Sequence, residues 1–142
     1  MKQLTKPDSA ISEVIDRLIE QGSAFNVDAL EEIYDHDLCH LFVGKGGKVD
    51  RVERAQTISK FEALRQSGQE HFTTEHDILH IEQQGDIATA LLRRRMRFDG
   101  NNAFFELRMR KTQSGWKIYG ETVLPWPDQW LVPSSANDGS CA

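Results

Sequence analysis

The chain has 142 residues, 17 Lys and Arg against 22 Asp and Glu for a formal net charge of -5, and 39% hydrophobic residues. That length suits one domain, and the apolar share is too high for a disordered chain. The acidic balance argues against a nucleic-acid-binding domain, and no apolar run approaches the ~18 residues of a membrane span.

Residues 1–8 read as a flexible N-terminus without the apolar core of a secretory signal. A helix follows in "ISEVIDRLIEQG", where Ile11, Val14, Ile15, Leu18 and Ile19 form one apolar stripe. Asp8 or Ser9 can cap it, and Gly22 suits the left-handed residue that stops it. "NVDALEEIYDHD" predicts a short second helix, capped by Asn26 and burying Val27, Leu30, Ile33 and Tyr34. "LCHLFVG" (Leu38 to Gly44) is a candidate strand. The glycine-rich turn after it lacks the context of a phosphate loop. "VERAQTISKFEALRQSG" predicts a third helix with Val52, Ala55, Ile58, Phe61 and Leu64 on its apolar face, ended by Gly68.

From Thr73 to Leu124 the turn signals "QQGD", "DGNN" and "QSGW" separate strands of consecutive antiparallel hairpins. The domain is expected to span 9–125, with 126–142 an extended C-terminal segment whose end is disordered. Trp126 and Trp130, in "PWPDQWLVP", are suited to covering a sheet edge or a cavity mouth, or to meeting a partner. Cys39 and Cys141 read as reduced thiols of a cytoplasmic protein. Helices first and an antiparallel meander after them make an α+β domain.

Strand alternation sorts the arginines of "LLRRRMRF". With two-residue loops at Gln84-Gly85, Gly100-Asn101 and Ser114-Gly115, one face carries Leu79, Leu92, Met96, Phe98, Phe105, Leu107, Met109 and Trp116, with Glu75, Asp77 and Arg94 intruding. The other face carries Arg93, Arg95, Arg97, Phe104, Glu106, Arg108, Tyr119 and Glu121, with Arg95 opposite Glu106 and Arg108 opposite Glu121. Two roles are open to Arg94. It can form a structural ion pair with Glu75, or it can sit in a pocket and grip a carboxylate or carbonyl, with Glu75 and Asp77 as acid–base groups. Tyr34 and His40 are placed to border a cavity between helices and sheet. Leu92, Met96, Phe105, Leu107 and Trp116 complete the expected ligand-binding set. His76 and His80 lie roughly 13 Å apart along one strand, too far to share a metal, and nothing in the chain calls for a metal or a cofactor.

The order and spacing of "ISEVIDRLIEQG", "DALEEIYDHD", "GKVDRVERAQTISKF", "GDIATALLR" and "SGWKIYGE" resemble the nuclear transport factor 2-like (NTF2-like) superfamily, which includes SnoaL-like, polyketide-cyclase-like and lumazine-binding-like proteins. The resemblance runs from about Ser9 to Leu124. It implies a cystatin-like, NTF2-like cone: three N-terminal helices packed on a strongly bent antiparallel sheet around an apolar cavity. It also implies a homodimer through the outer sheet face, which here holds Arg93, Arg95, Phe104, Glu106, Arg108 and Tyr119. Two departures stand out. The first helix has no tyrosine of the kind ketosteroid-isomerase-like enzymes carry, and Met96 stands two places after Arg94, where limonene-epoxide-hydrolase-like enzymes have an aspartate. The expected function is a dimeric cavity protein that binds a small, partly apolar, anionic or carbonyl-bearing molecule, with no membrane or nucleic-acid partner. The alternatives are an isomerase-, cyclase- or hydrolase-type enzyme using the Arg–carboxylate cluster, and a protein-interaction module.

Overall fold

The computed structural model describes residues 6–95 and 102–126. In chain order the elements are α1 (Ser9–Ser23), α2 (Val27–Ile33), β1 (Tyr34–Val43), a short 3-10 turn (Lys45–Gly47), β2 (Val49–Glu53), α3 (Arg54–Gln66), β3 (His76–Gln84), β4 (Ile87–Arg95), β5 (Asn102–Thr112) and β6 (Gly115–Pro125). Expectations that fell on Met96, Arg97, Phe98 and Trp130 lie outside the described residues.

The six strands form one sheet in the order β2-β1-β6-β5-β4-β3. Its hairpins are antiparallel, but β1 lies parallel to β6, so the sheet is mixed rather than wholly antiparallel. The parallel pair exists because the chain returns to the middle of the sheet only after the helices and the outer strands are in place. The helices cover one face. Ile11, Ile15, Leu18 and Ile19 of α1 and Leu30 and Ile33 of α2 pack on Ala90, Leu92, Leu107, Met109 and Ile118 of the sheet. All of these side chains are buried, and their burial supplies most of the hydrophobic driving force.

The first helix does not stop as expected. It runs through Gly22 to Ser23, and the left-handed residue is Phe25, with φ 57°. Asp8 holds the N-cap position of α1 without a side-chain capping bond. Asn26 does cap α2, its side chain accepting from the Ala29 amide at 3.3 Å. What the sequence suggested as a turn feeding directly into the third helix holds a strand, β2, paired with β1. Within α3 only Thr57 is buried, while Ile58, Phe61 and Leu64 are half-buried and Ala55 is exposed. An apolar helix face left half-covered is what a helix over a void presents, and α3 lies over one.

Each two-residue hairpin loop sits elsewhere than expected. Gln84 pairs with Ile87 and Thr112 with Gly115, so the loops are Gly85-Asp86 and Gln113-Ser114. Arg95 pairs with Asn102, where Asp99 was expected opposite Asn102, and residues 96–101 lie outside the described residues. The β1–β6 pairing is irregular between Tyr34 and Cys39, and two bulges lie elsewhere in the sheet, one between Ile78 and His80 in β3 and one between Ile118 and Gly120 in β6. A bulge adds a residue to one strand only, so every side chain beyond it changes face. Leu79, expected in the core, is therefore 48% exposed. Asp77, expected inside, faces outward and ion-pairs with Arg93 across the strands.

Candidate functional site

Between α3, the end of α1 and the inner sheet face lies a cavity of about 620 Å³. Its lining is mostly apolar, and five side chains of different chemistry meet in it: Tyr34, His40, Thr57, Arg94 and Glu121. Tyr34 opens β1 directly at the end of α2. His40 follows on β1, and its partner across the parallel pair is Glu121 of β6. Thr57 comes from the first turn of α3, and Arg94 from β4.

Four of these groups form a chain of hydrogen bonds. The Tyr34 hydroxyl donates to Glu121 Oε1 at 3.3 Å. His40 Nε2 lies 2.9 Å from Glu121 Oε2, and both side chains are more than nine-tenths buried. His40 Nδ1 lies 3.2 Å from Thr57 Oγ1. Burial alone would raise the Glu121 pKa, but His40, Arg94 and the Tyr34 hydroxyl together hold it below the ordinary carboxylate value. Glu121 is thus an ionised acceptor, which requires the proton on His40 Nε2. With that proton in place, Nδ1 accepts from the Thr57 hydroxyl when the imidazole is neutral and donates to it when the ring is charged. Burial, then the Glu121 charge and hydrogen bond, push the Tyr34 phenol well above its usual value, so it remains a donor.

Arg94 is held from one side. Its Nη2 donates to Ser23 Oγ at 3.0 Å and to the Thr73 carbonyl at 3.1 Å. The guanidinium carbon stands 5.4 Å from the Phe105 ring centre, a cation–π arrangement. Among the described residues it makes no ion pair, and its buried Nε has no acceptor. Burial lowers its pKa, while the nearby charge of Glu121 and the Tyr34 group oppose that shift.

The sequence-derived site is therefore divided. Tyr34, His40, Leu92, Arg94, Phe105 and Leu107 all line the cavity. Trp116 is buried in the core away from it. Glu75 is exposed in the approach to β3 and Asp77 faces outward, so neither expected carboxylate reaches Arg94. The carboxylate that does approach Arg94 is Glu121, which sequence alternation had assigned to the outer face opposite Arg108. Gly120 is the residue that pairs with Arg108, and the β6 bulge turns Glu121 inward. Thr57, Ser23 and Lys60 were likewise not singled out by the sequence.

On the outer face, Arg108 bonds Glu106 of its own strand at 2.5 Å and Thr122 at 3.1 Å, and Leu91 stands opposite Glu106 where Arg95 was expected. Trp126 packs edge-on against Phe104, ring centres 5.9 Å apart. At the start of β1, ligand-type atoms of Asp35, His36 and Asp37 lie within 4.8 Å of one another. Arg110 ion-pairs with both of those carboxylates, so their charge is met within the chain.

No protein-family model matches the chain, and no curated protein does either. Solved structures do match. An NTF2-like protein from Cytophaga hutchinsonii superposes with a TM-score of 0.67 at 15% identity, covering 85% of this chain and 99% of its own. An NTF-2-like protein of unknown function from Silicibacter pomeroyi gives a TM-score of 0.66 at 16% identity, with 81% and 92% covered. The chain has the NTF2-like fold. A further NTF2-like neighbour, from Streptomyces avermitilis and described provisionally as a dehydratase, gives 0.62 at 14% identity, with 81% and 92% covered. At such identities the likeness is one of fold, and the chemistry of this NTF2-like cone rests on its own residues. No helix among the described residues is long and apolar enough to cross a membrane.

Proposed function

We propose that the cone cavity binds a small, partly apolar molecule bearing an anionic or carbonyl group, and that two chains associate through the outer sheet face. The observation that carries the first part is Arg94. A guanidinium taken out of water is costly unless it is matched by an opposite charge. Among the described residues it hydrogen-bonds only neutral acceptors, on one side, and it borders an apolar cavity. The lining holds, among the described residues, two cations, Lys60 and Arg94, against the single carboxylate Glu121, whose oxygens are already engaged by Tyr34 and His40. An incoming group therefore meets an excess of positive charge, and the volume is in the usual range for a small-molecule site.

The test is calorimetric titration with a series of small apolar carboxylates and their amides. The carboxylates should bind more tightly than the amides, and Arg94→Met should weaken them by roughly tenfold to a hundredfold, the worth of a charge-assisted hydrogen bond. Carboxylate affinities unchanged in Arg94→Met would end this reading.

A second reading, an isomerase-, cyclase- or hydrolase-type enzyme, is favoured by one feature: the hydrogen-bonded chain Tyr34–Glu121–His40 lies in the same cavity as Arg94. In it Glu121 takes the part that the sequence offered to Glu75 and Asp77. Association through the outer face is supported by Ile87, 45% exposed, and by the half-buried Leu91 and Phe104 lying among Arg93, Arg95, Glu106, Arg108 and Tyr119. Light scattering at micromolar concentration should give twice the chain mass, and a monomer there would refute it.

A further inference from the structure

The structure assigns a second role to the cavity, resting on its reading as a ligand site: Thr57, His40 and Glu121 form a hydroxyl–imidazole–carboxylate relay, and Thr57 is a nucleophile toward small apolar esters or thioesters. The geometry is that of an activated hydroxyl. Thr57 Oγ1 is 3.2 Å from one nitrogen of His40, and the other nitrogen is 2.9 Å from Glu121. Nucleophile within reach of base, and base oriented by a third group, is the arrangement that covalent catalysis requires. The Tyr34 hydroxyl fixes the second carboxylate oxygen, so the acid end of the relay is held from both sides.

Two further observations separate this from a merely structural histidine. A buried histidine is commonly fixed by a backbone carbonyl or a carboxylate at the nitrogen that does not act. Here the carboxylate takes that position, and the remaining nitrogen faces a hydroxyl that lines the cavity. Thr57 is also the fourth residue of α3, a 13-residue helix. The positive end of the helix dipole lies at that first turn and favours a developing alkoxide. Arg94 lines the same cavity and supplies the positive charge toward which a carbonyl oxygen, turning into an oxyanion, is drawn.

In the first step the Thr57 Oγ1–acyl carbon bond forms while its proton passes to His40 Nδ1. The bond from the acyl carbon to the leaving alkoxide or thiolate then breaks, and that group takes the proton from His40. In the second step a water gives its proton to His40 and attacks the acyl carbon. The acyl–Thr57 bond breaks, Thr57 recovers the proton, and a free carboxylic acid leaves. No co-reactant beyond water is needed.

The probe is an alkyl fluorophosphonate, which traps an activated hydroxyl, used beside p-nitrophenyl butyrate on the full chain. Peptide mapping should place the phosphonyl group on Thr57. Thr57→Ser should retain labelling and ester hydrolysis, and Thr57→Val, of nearly the same shape, should lose both while unfolding as cooperatively as the parent. His40→Gln should slow labelling by roughly a hundredfold, the usual worth of a positioned general base. A folded parent chain left unlabelled at Thr57 overturns the proposal, and so does Thr57→Val labelled or hydrolysing at the parent rate. Carboxylate titration of the parent tells the two readings apart: a parent that binds carboxylates but stays unlabelled at Thr57 overturns the relay alone, and one that binds none overturns the ligand site.

Discussion

Glu121 is a carboxylate that burial alone would neutralise, and it stays ionised because its neighbours are donors and cations. That has a consequence for acid stability. Its folded-state pKa lies below the ordinary value of 4.5, so above about pH 4.5 folded and unfolded chains are both ionised and the contribution is full. As pH falls below that, the unfolded chain takes up the proton first, and the contribution fades until the folded-state pKa is passed. Glu121→Gln should therefore be less stable than the parent by about 1–3 kcal/mol at pH 7, with the gap closing toward pH 3 in urea denaturation. A gap of constant size would mean that Glu121 is not ionised in the fold. Phe25 makes a second case at this scale. Its backbone is left-handed while its ring is 1% exposed and packs edge-on against Phe72 and His71. Phe25→Ala should cost about 3–5 kcal/mol for the lost core contacts. Phe25→Gly should cost less than Phe25→Ala by about 1 kcal/mol, the reverse of the usual order, because only glycine is unstrained at positive φ. Equal or greater loss in the glycine variant would show that this backbone carries no strain.

At the scale of one element, β6 decides what the cavity contains. Trp116 and Ile118 point inward, the bulge follows, and then Glu121 and Val123 point inward. Gly120 sits at that reversal with the Arg108 side chain across it, and a Cβ there would come 2.3 Å from Arg108 Nε. The obstacle is the far end of a flexible side chain, so Gly120→Ala should cost only about 1 kcal/mol, mostly through Arg108 leaving Glu106 and Thr122. In Arg108→Ala the same glycine change should cost almost nothing, which a double-mutant cycle in denaturant measures. A large cost in both backgrounds would place the effect in the bulge itself. The same strand shows what was legible in the sequence. Helix stripes such as Ile11, Ile15, Leu18 and Ile19 announce themselves because their period survives small boundary errors. The inward setting of Arg94 was legible too: the β4–β5 pairing moved by an even number of residues, which preserves faces. The inward setting of Glu121 was hidden, since a bulge reverses alternation and leaves as its only local sign a glycine within a strand, Gly120. Asp77 was misplaced for the same reason: the moved Gly85 turn shifts the β3–β4 pairing by an even number of residues and preserves faces, so it is the bulge at Leu79 that turns Asp77 outward. Thr57 gave no signal at all, since its role comes from α3 lying over β1, a contact that spans 17 residues of sequence.

For the molecule as a whole, the cavity and its cation oppose the rest of the fold. A domain with 39% hydrophobic residues keeps about 620 Å³ of its interior open and sets a half-buried guanidinium beside it with no ion pair among the described residues. Both features cost stability, and sites that violate packing and charge rules are where function is concentrated. Arg94 thus makes the opposite prediction from a structural arginine. A structural arginine removed from its partner leaves an uncompensated charge behind, and stability falls by about 3–5 kcal/mol. Arg94 leaves no carboxylate stranded, because Glu121 keeps His40 and the Tyr34 hydroxyl. What it gives up are two hydrogen bonds to neutral oxygens, a ring contact with Phe105 and an attraction to the Glu121 charge, while Ser23 Oγ already lies 3.3 Å from the Thr73 carbonyl and can donate to it. Met fills similar space and needs no desolvation of charge. Arg94→Met should therefore unfold at the same denaturant concentration as the parent or a higher one, while carboxylate affinity falls. The two measurements belong on one preparation. Unfolding at clearly lower denaturant would make Arg94 a structural brace. Equal or greater stability together with lost binding is the signature of a residue kept for its ligand.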